Sequence, residues 1–199
     1  MSWPNRITVL RLLLVTPFIL LLVNAASNPA YRYGALALVA IMGVLDAVDG
    51  IVARRLGAVS RIGSVLDPLA DYALMISALV TMSIPGILSS DPAVPPLPLW
   101  VSVTLVSRDV FMLFGTSIIF LLAGVFQGLP SATGKAATVM QFVMVVVMCI
   151  EPDLYAVTPS VMPLALNILW GLTVALGVLS WLGYIRMGSK LLTAGGHGG

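Results

Sequence analysis

Apolar residues run through this chain in six long blocks, near residues 7–25, 34–55, 63–84, 99–124, 135–150 and 161–185, separated by short polar or proline-containing intervals. About 20 mostly apolar residues are needed for a helix to cross the hydrocarbon of a bilayer, and blocks of this length read as helices rather than strands. The expected fold class is all-α: an integral membrane bundle of six transmembrane helices. The fifth block is the shortest. Only Pro85 to Pro98 and the glycine-rich end after Leu192 resemble linkers, so the expected layout is one transmembrane domain over 1–192 and a flexible glycine-rich tail over 193–199.

Composition removes the soluble alternative. Of the 199 residues 59% are hydrophobic and 9% charged, with a mean hydropathy of +1.06, against about 45–50% apolar residues in ordinary globular domains. Charge then orients the bundle, because cytoplasmic loops carry the excess of Lys and Arg. Arg6, Arg11, Arg54, Arg55, Arg61, Lys135, Arg186 and Lys190 all fall on one side of the six spans, and the other side has Arg32 with Asp91, Glu151 and Asp153. Both termini are expected on the cytoplasmic face of a multi-pass protein in a bacterial-type inner or plasma membrane. The net charge of +2 reads as this topology signal; no basic stripe with interleaved aromatics points to nucleic acid. An N-terminal signal peptide is a weaker reading of the first block, which Arg11 interrupts early. Cys149 is the only cysteine and His197 the only histidine, which excludes an internal disulfide and a thiolate metal site.

The stretch from Asp46 to Asp71, DAVDGIVARRLGAVSRIGSVLDPLAD, holds four of the eight acidic residues. Carboxylates beside apolar spans are costly, and their default reading is functional. On a helix, Asp46, Asp49, Gly50 and Ala53 share one stripe at i, i+3, i+4 and i+7; on the next, Gly63, Asp67 and Asp71 fall at i, i+4 and i+8. A short turn between the helices would gather four carboxylates next to the small residues Gly50, Ala53 and Gly63. Such a cage requires positive charge, and all-oxygen ligation suits Mg²⁺, Mn²⁺ or Ca²⁺ rather than zinc.

The spacing D-x2-D-G-x2-A-R-x8-G-x3-D-x3-D, met by Asp46, Asp49, Gly50, Ala53, Arg54, Gly63, Asp67 and Asp71, resembles the signature of the CDP-alcohol phosphatidyltransferases. The resemblance implies transfer of a phosphatidyl group from CDP-diacylglycerol to a glycerol-type alcohol with release of CMP, two divalent cations (Mg²⁺ or Mn²⁺) on Asp46, Asp49, Asp67 and Asp71, and a homodimer. It also implies that Asp71 takes the proton from the acceptor hydroxyl. Asp49, Gly50, Ala53, Arg54 and Gly63 then surround the donor nucleotide: the small residues leave room for cytidine, and Arg54 meets the diphosphate. Asn5, Thr8 and Arg11 resemble, more loosely, a P-N-x-x-T-x-x-R opening of the cardiolipin and phosphatidylglycerophosphate synthases, which adds Asn5 and Thr8 to the donor set.

Two further places carry polar groups into apolar runs. Arg108 and Asp109 are adjacent in the fourth block, about 100° apart on a helix, so they are not expected simply to pair with each other and at least one needs another partner. Gly134, Lys135, Thr138 and Gln141 resemble a G-K-x-x-T-x-x-Q stretch of the same branch. Arg108, Lys135, Arg61 and Arg11 form the candidate cationic set for the acceptor. The stripe Met140, Met144, Met148 reads as packing. Where phosphatidylglycerophosphate synthases usually have two lysines, this chain has Tyr72 and Ala137. A dianionic phosphomonoester would want those charges more than a phosphodiester would, so phosphatidylglycerol is the expected acceptor and cardiolipin the product, with glycerol 3-phosphate as the alternative. A divalent-cation channel or transporter is the alternative of another class, since acids in membrane helices also mark ion paths; it does not explain Gly50, Arg54 or Gly63.

Overall fold

A computed structural model of the chain describes residues 3–56, 63–123 and 132–195, with side chains placed over 8–45, 69–115, 117 and 132–186. Each apolar block forms a helix: α1 (Trp3–Val23), α2 (Pro29–Leu56), α3 (Gly63–Met82), α4 (Leu99–Ala123), α5 (Ala132–Val157) and α6 (Met162–Gly195). No strand occurs among the described residues. Local chemistry sets several boundaries. Asn28 caps α2, its Oδ1 accepting the Ala30 N–H at 2.8 Å, and Pro29 follows at a first-turn position where a missing N–H costs nothing. α3 starts at Gly63, so Pro68 lies within the helix rather than at its start. α6 runs to Gly195, into the glycine-rich end, and 196–199 lie outside the described residues.

The fifth helix corrects an expectation. It has 26 residues where α3 has 20, because the helix does not stop where the apolar run stops. It continues through Glu151, Pro152 and Asp153, and the Asp153 carboxylate accepts the Arg32 guanidinium at 2.5 Å and the Tyr33 hydroxyl at 3.0 Å. The Pro-rich stretch is likewise no free linker. Its Leu88 and Leu97 are buried, Leu97 N–H donates to Met82 O at 2.9 Å, and Gly86 takes the positive φ of 74° that turns the chain back.

The helices close into a ring in the order α1, α2, α5, α6, α4, α3, with α3 also touching α5 across it. Phe18, Leu22, Met42, Leu79, Met82, Met144, Met148 and Leu166 fill the centre, so two members of the methionine stripe on α5 pack as expected, while Met140 is half-buried outside this core. Polarity is inverted relative to a soluble domain. Arg11, Arg32, Arg108, Asp109, Gln141 and Glu151 are buried, and Leu13, Leu99, Phe114 and Leu164 stand outside. Large exposed apolar area with charges drawn inside, the three buried arginines each paired with a carboxylate, is what a lipid solvent selects. α5 and α6 are long and apolar enough to cross a membrane over 132–157 and 162–186.

Candidate functional site

Helix α1 turns Thr8 and Arg11 inward, at 0% and 4% exposure. Arg11 lies against α3, where its guanidinium donates to Asp71 Oδ1. One partner is buried and the other is open: the Asp71 side chain is 43% exposed and that of Arg11 5%. The open side of Asp71 borders a cleft of about 530 Å³ between α1, α2, α3 and α5, whose remaining walls are largely apolar. A carboxylate held ionised by a buried guanidinium and accessible from without can accept a hydrogen bond from a group in that cleft.

The other motif residues are placed by backbone alone. α2 carries Asp46, Asp49, Gly50, Ala53 and Arg54, and α3 carries Gly63, Asp67 and Asp71, so both stripes lie on helices as the spacing requires. The side chains of Asn5, Asp46, Asp49, Ala53, Arg54 and Asp67 lie outside the described residues, as does Arg61 altogether. The donor chemistry fits hard divalent cations, since every candidate ligand on the two helices is a carboxylate.

Farther along the ring, a buried polar network joins three helices. Arg108 and Asp109 do pair, at 2.7 Å, contrary to the expectation from their angular separation, because the long arginine side chain swings back to its neighbour. Both also have outside partners, as expected. Gln141 Nε2 on α5 donates to Asp109 Oδ2 at 2.8 Å, and Arg108 reaches Ser180 Oγ on α6 at 3.4 Å. The structure therefore holds Arg108 within this network. Lys135 is exposed in the first turn of α5, and Thr138 donates to Gly134 O at 3.1 Å. Sequence reasoning named Arg11, Asp71, Asp109 and Gln141 but paired none of them; it did not single out Phe142 or Gly43, where the phenyl ring of α5 packs directly on the glycine of α2.

The pattern of one protein family matches residues 1–182 of the chain, described as CDP-alcohol phosphatidyltransferase. The chain belongs to that family. Within the CDP-alcohol phosphatidyltransferases, a Mycobacterium tuberculosis protein that carries a cardiolipin synthase name is 34% identical over 136 residues, 68% of this chain and 58% of that relative. A second Mycobacterium tuberculosis protein, with a phosphatidylglycerophosphate synthase name, is 35% identical over 107 residues, 53% of this chain and 47% of its own length. The chain thus spans about half the length of these two relatives. A CDP-diacylglycerol–glycerol-3-phosphate 3-phosphatidyltransferase of Aquifex aeolicus is 29% identical over 192 residues, 96% of this chain and 98% of that protein. The CDP-alcohol phosphatidyltransferases are membrane-bound, in keeping with the inverted polarity of the bundle.

Proposed function

We propose that the protein transfers the phosphatidyl group of CDP-diacylglycerol to phosphatidylglycerol, forming cardiolipin and releasing CMP. The observation that carries this reading is the Arg11–Asp71 pair at the mouth of an apolar cleft, which joins α1 to α3, one of the two helices that bear the complete motif. The bundle spans the membrane six times, with a polar groove and both termini on the cytoplasmic side and two copies forming a homodimer.

In the reaction, Asp71 accepts the proton of the acceptor hydroxyl while that oxygen bonds to the lipid-side phosphorus of the donor. The bond from this phosphorus to CMP breaks, and the leaving phosphate takes up the negative charge. Arg11 keeps Asp71 aimed at the hydroxyl. Asp46, Asp49, Asp67 and Asp71 would hold two divalent cations, Mg²⁺ or Mn²⁺, which neutralise diphosphate charge when bound. Gly50, Ala53 and Gly63 leave space for cytidine, Arg54 meets the diphosphate, and Asn5 and Thr8 border the donor. Lys135, Arg61 and Arg11 attract the acceptor phosphate, and Arg108 acts on it from within its network.

A second reading, with glycerol 3-phosphate as acceptor, is favoured by the match along nearly the whole length of the Aquifex aeolicus relative. Ala137 argues against it. This residue is buried on α5, so a lysine there would deliver charge inward, and the chain has none. The ion-path alternative finds no support in the family match. Purified protein with CDP-diacylglycerol and Mg²⁺, offered phosphatidylglycerol, glycerol 3-phosphate, inositol phosphate and serine separately, should release CMP with phosphatidylglycerol. Release with glycerol 3-phosphate alone would replace the acceptor while retaining the family chemistry.

A further inference from the structure

The end of the bundle where α2 and α4 begin and α5 stops has amphipathic rings on its outside. Tyr31 and Tyr33 are exposed in the first two turns of α2, and Trp100 is exposed in the first turn of α4. Ser90 Oγ, in the stretch before α4, donates at 3.2 Å to Ala26 O in the turn before α2, which holds the two helix starts at one level. In the ring order α2 and α4 stand opposite each other, so the aromatic residues flank the bundle on two sides. Deeper along the same helices the exposed surface is apolar, with Ile41 and Val44 on α2 and Val103 and Phe114 on α4; beyond the rings stand the exposed Asn24, Ser27 and Asn28. A phenol or indole, apolar in body and polar at its tip, fits the passage from one surface to the other. The charged groups mark the same level. Asp153, near the end of α5, has a 45% exposed side chain and accepts from Tyr33 as well as Arg32, so it opens to water or headgroups rather than hydrocarbon. From Asp153 to the exposed Lys135, α5 rises about 27 Å. The hydrocarbon of a bilayer is about 30 Å thick, and a lysine stem can cover the remaining distance.

We propose that Tyr31, Tyr33 and Trp100 anchor the bundle in the headgroup boundary of the leaflet away from the cytoplasm, fixing its depth and, from opposite sides, its tilt. This rests on the proposed six-span arrangement. The partner is a lipid surface: ester and phosphate oxygens accept from the ring O–H and N–H groups, and the upper part of the acyl chains packs on the rings. The depth bears on the proposed chemistry. Met82, at the end of α3, is level with the start of α4, because its carbonyl accepts the Leu97 N–H. Asp71 lies about 17 Å from Met82 along α3, which leaves roughly 10 Å to the cytoplasmic boundary of the hydrocarbon. An anchor lost on one side would tip this carboxylate relative to the plane of the headgroups.

The test uses the full chain in dioleoyl phosphatidylcholine vesicles, with a spin label on Ala37→Cys or Val103→Cys, exposed positions one turn inward of Tyr33 and Trp100. Collisions with oxygen and with a water-soluble nickel chelate then report the depth of each label. With the three rings in place, both labels should lie about 5 Å inside the hydrocarbon boundary. Trp100→Leu should shift the label at 103 by about half a helical turn, ~3 Å, and leave the label at 37 in place. Tyr31→Leu with Tyr33→Leu should do the reverse. Tyr31→Trp with Tyr33→Trp should keep the original depth, which a role confined to the Tyr33–Asp153 bond would not predict. Labels at the boundary that stay there in both leucine variants overturn the anchor and leave the six spans standing. Equal movement of both labels in either variant overturns the two-sided control of tilt. Labels at the bilayer centre or in bulk water with the rings intact overturn the six-span arrangement, and the anchor with it.

Discussion

Asp71 and Arg11 lie 60 residues apart in sequence yet form the contact on which the proposed chemistry turns. Asp71→Asn removes the proton acceptor and should lower turnover on the order of 10²–10⁴-fold while CDP-diacylglycerol still binds; lost donor binding would make Asp71 chiefly a ligand. Arg11→Ala frees the carboxylate to swing and should slow turnover by itself, yet add little in the background of Asp71→Asn, because residues that act as a unit are not additive. Steady-state kinetics of the two single variants and the double variant decide this. For the cation-binding role, Asp46→Asn and Asp67→Asn should each abolish turnover, and EDTA should do the same to the wild type until Mg²⁺ is restored. Activity that persists in EDTA would remove the cations from the mechanism.

At the scale of elements, the network of Arg108, Asp109, Gln141 and Ser180 fastens α4 to α5 and α6. Its members differ in cost. Asp109→Ala strands a buried guanidinium and should destabilise by about 3–5 kcal/mol, whereas Gln141→Leu removes one interhelical hydrogen bond and should cost about 1–2 kcal/mol. Unfolding of the detergent-solubilised variants measures both, and equal losses would mean that Gln141 carries a packing role beyond its bond to Asp109. The helices themselves were legible in the sequence because a span announces itself in consecutive residues, and the motif stripes because helical period is local. The pairings were not. Arg11 with Asp71 and Asp109 with Gln141 depend on the order of helices around the ring, and no local pattern records that order. The far end of α5 was misjudged for the same reason: Glu151 and Asp153 read as the close of an apolar run, although Arg32 on α2 makes the helical continuation favourable.

For the whole molecule, the proposed six-span arrangement would place the two ends of α5 in different compartments. Ala132 and Ser160 are exposed near those ends, and Cys149, the sole native thiol, is fully buried and adds no background. Ser160→Cys should react with a membrane-impermeant maleimide on intact cells, and Ala132→Cys only after permeabilisation; the reverse pattern would invert the protein. The Arg32–Asp153 pair has a meaning for how such a chain is made. Its members are separated by 121 residues, and at about 5–20 residues per second of synthesis the carboxylate emerges roughly 6–24 s after the arginine. During that interval α2 holds an uncompensated cation at its end, a state best tolerated at the water interface rather than in hydrocarbon. The Arg32–Asp153 contact can therefore close only after the end of α5 has been made, last among the steps that bury Arg32.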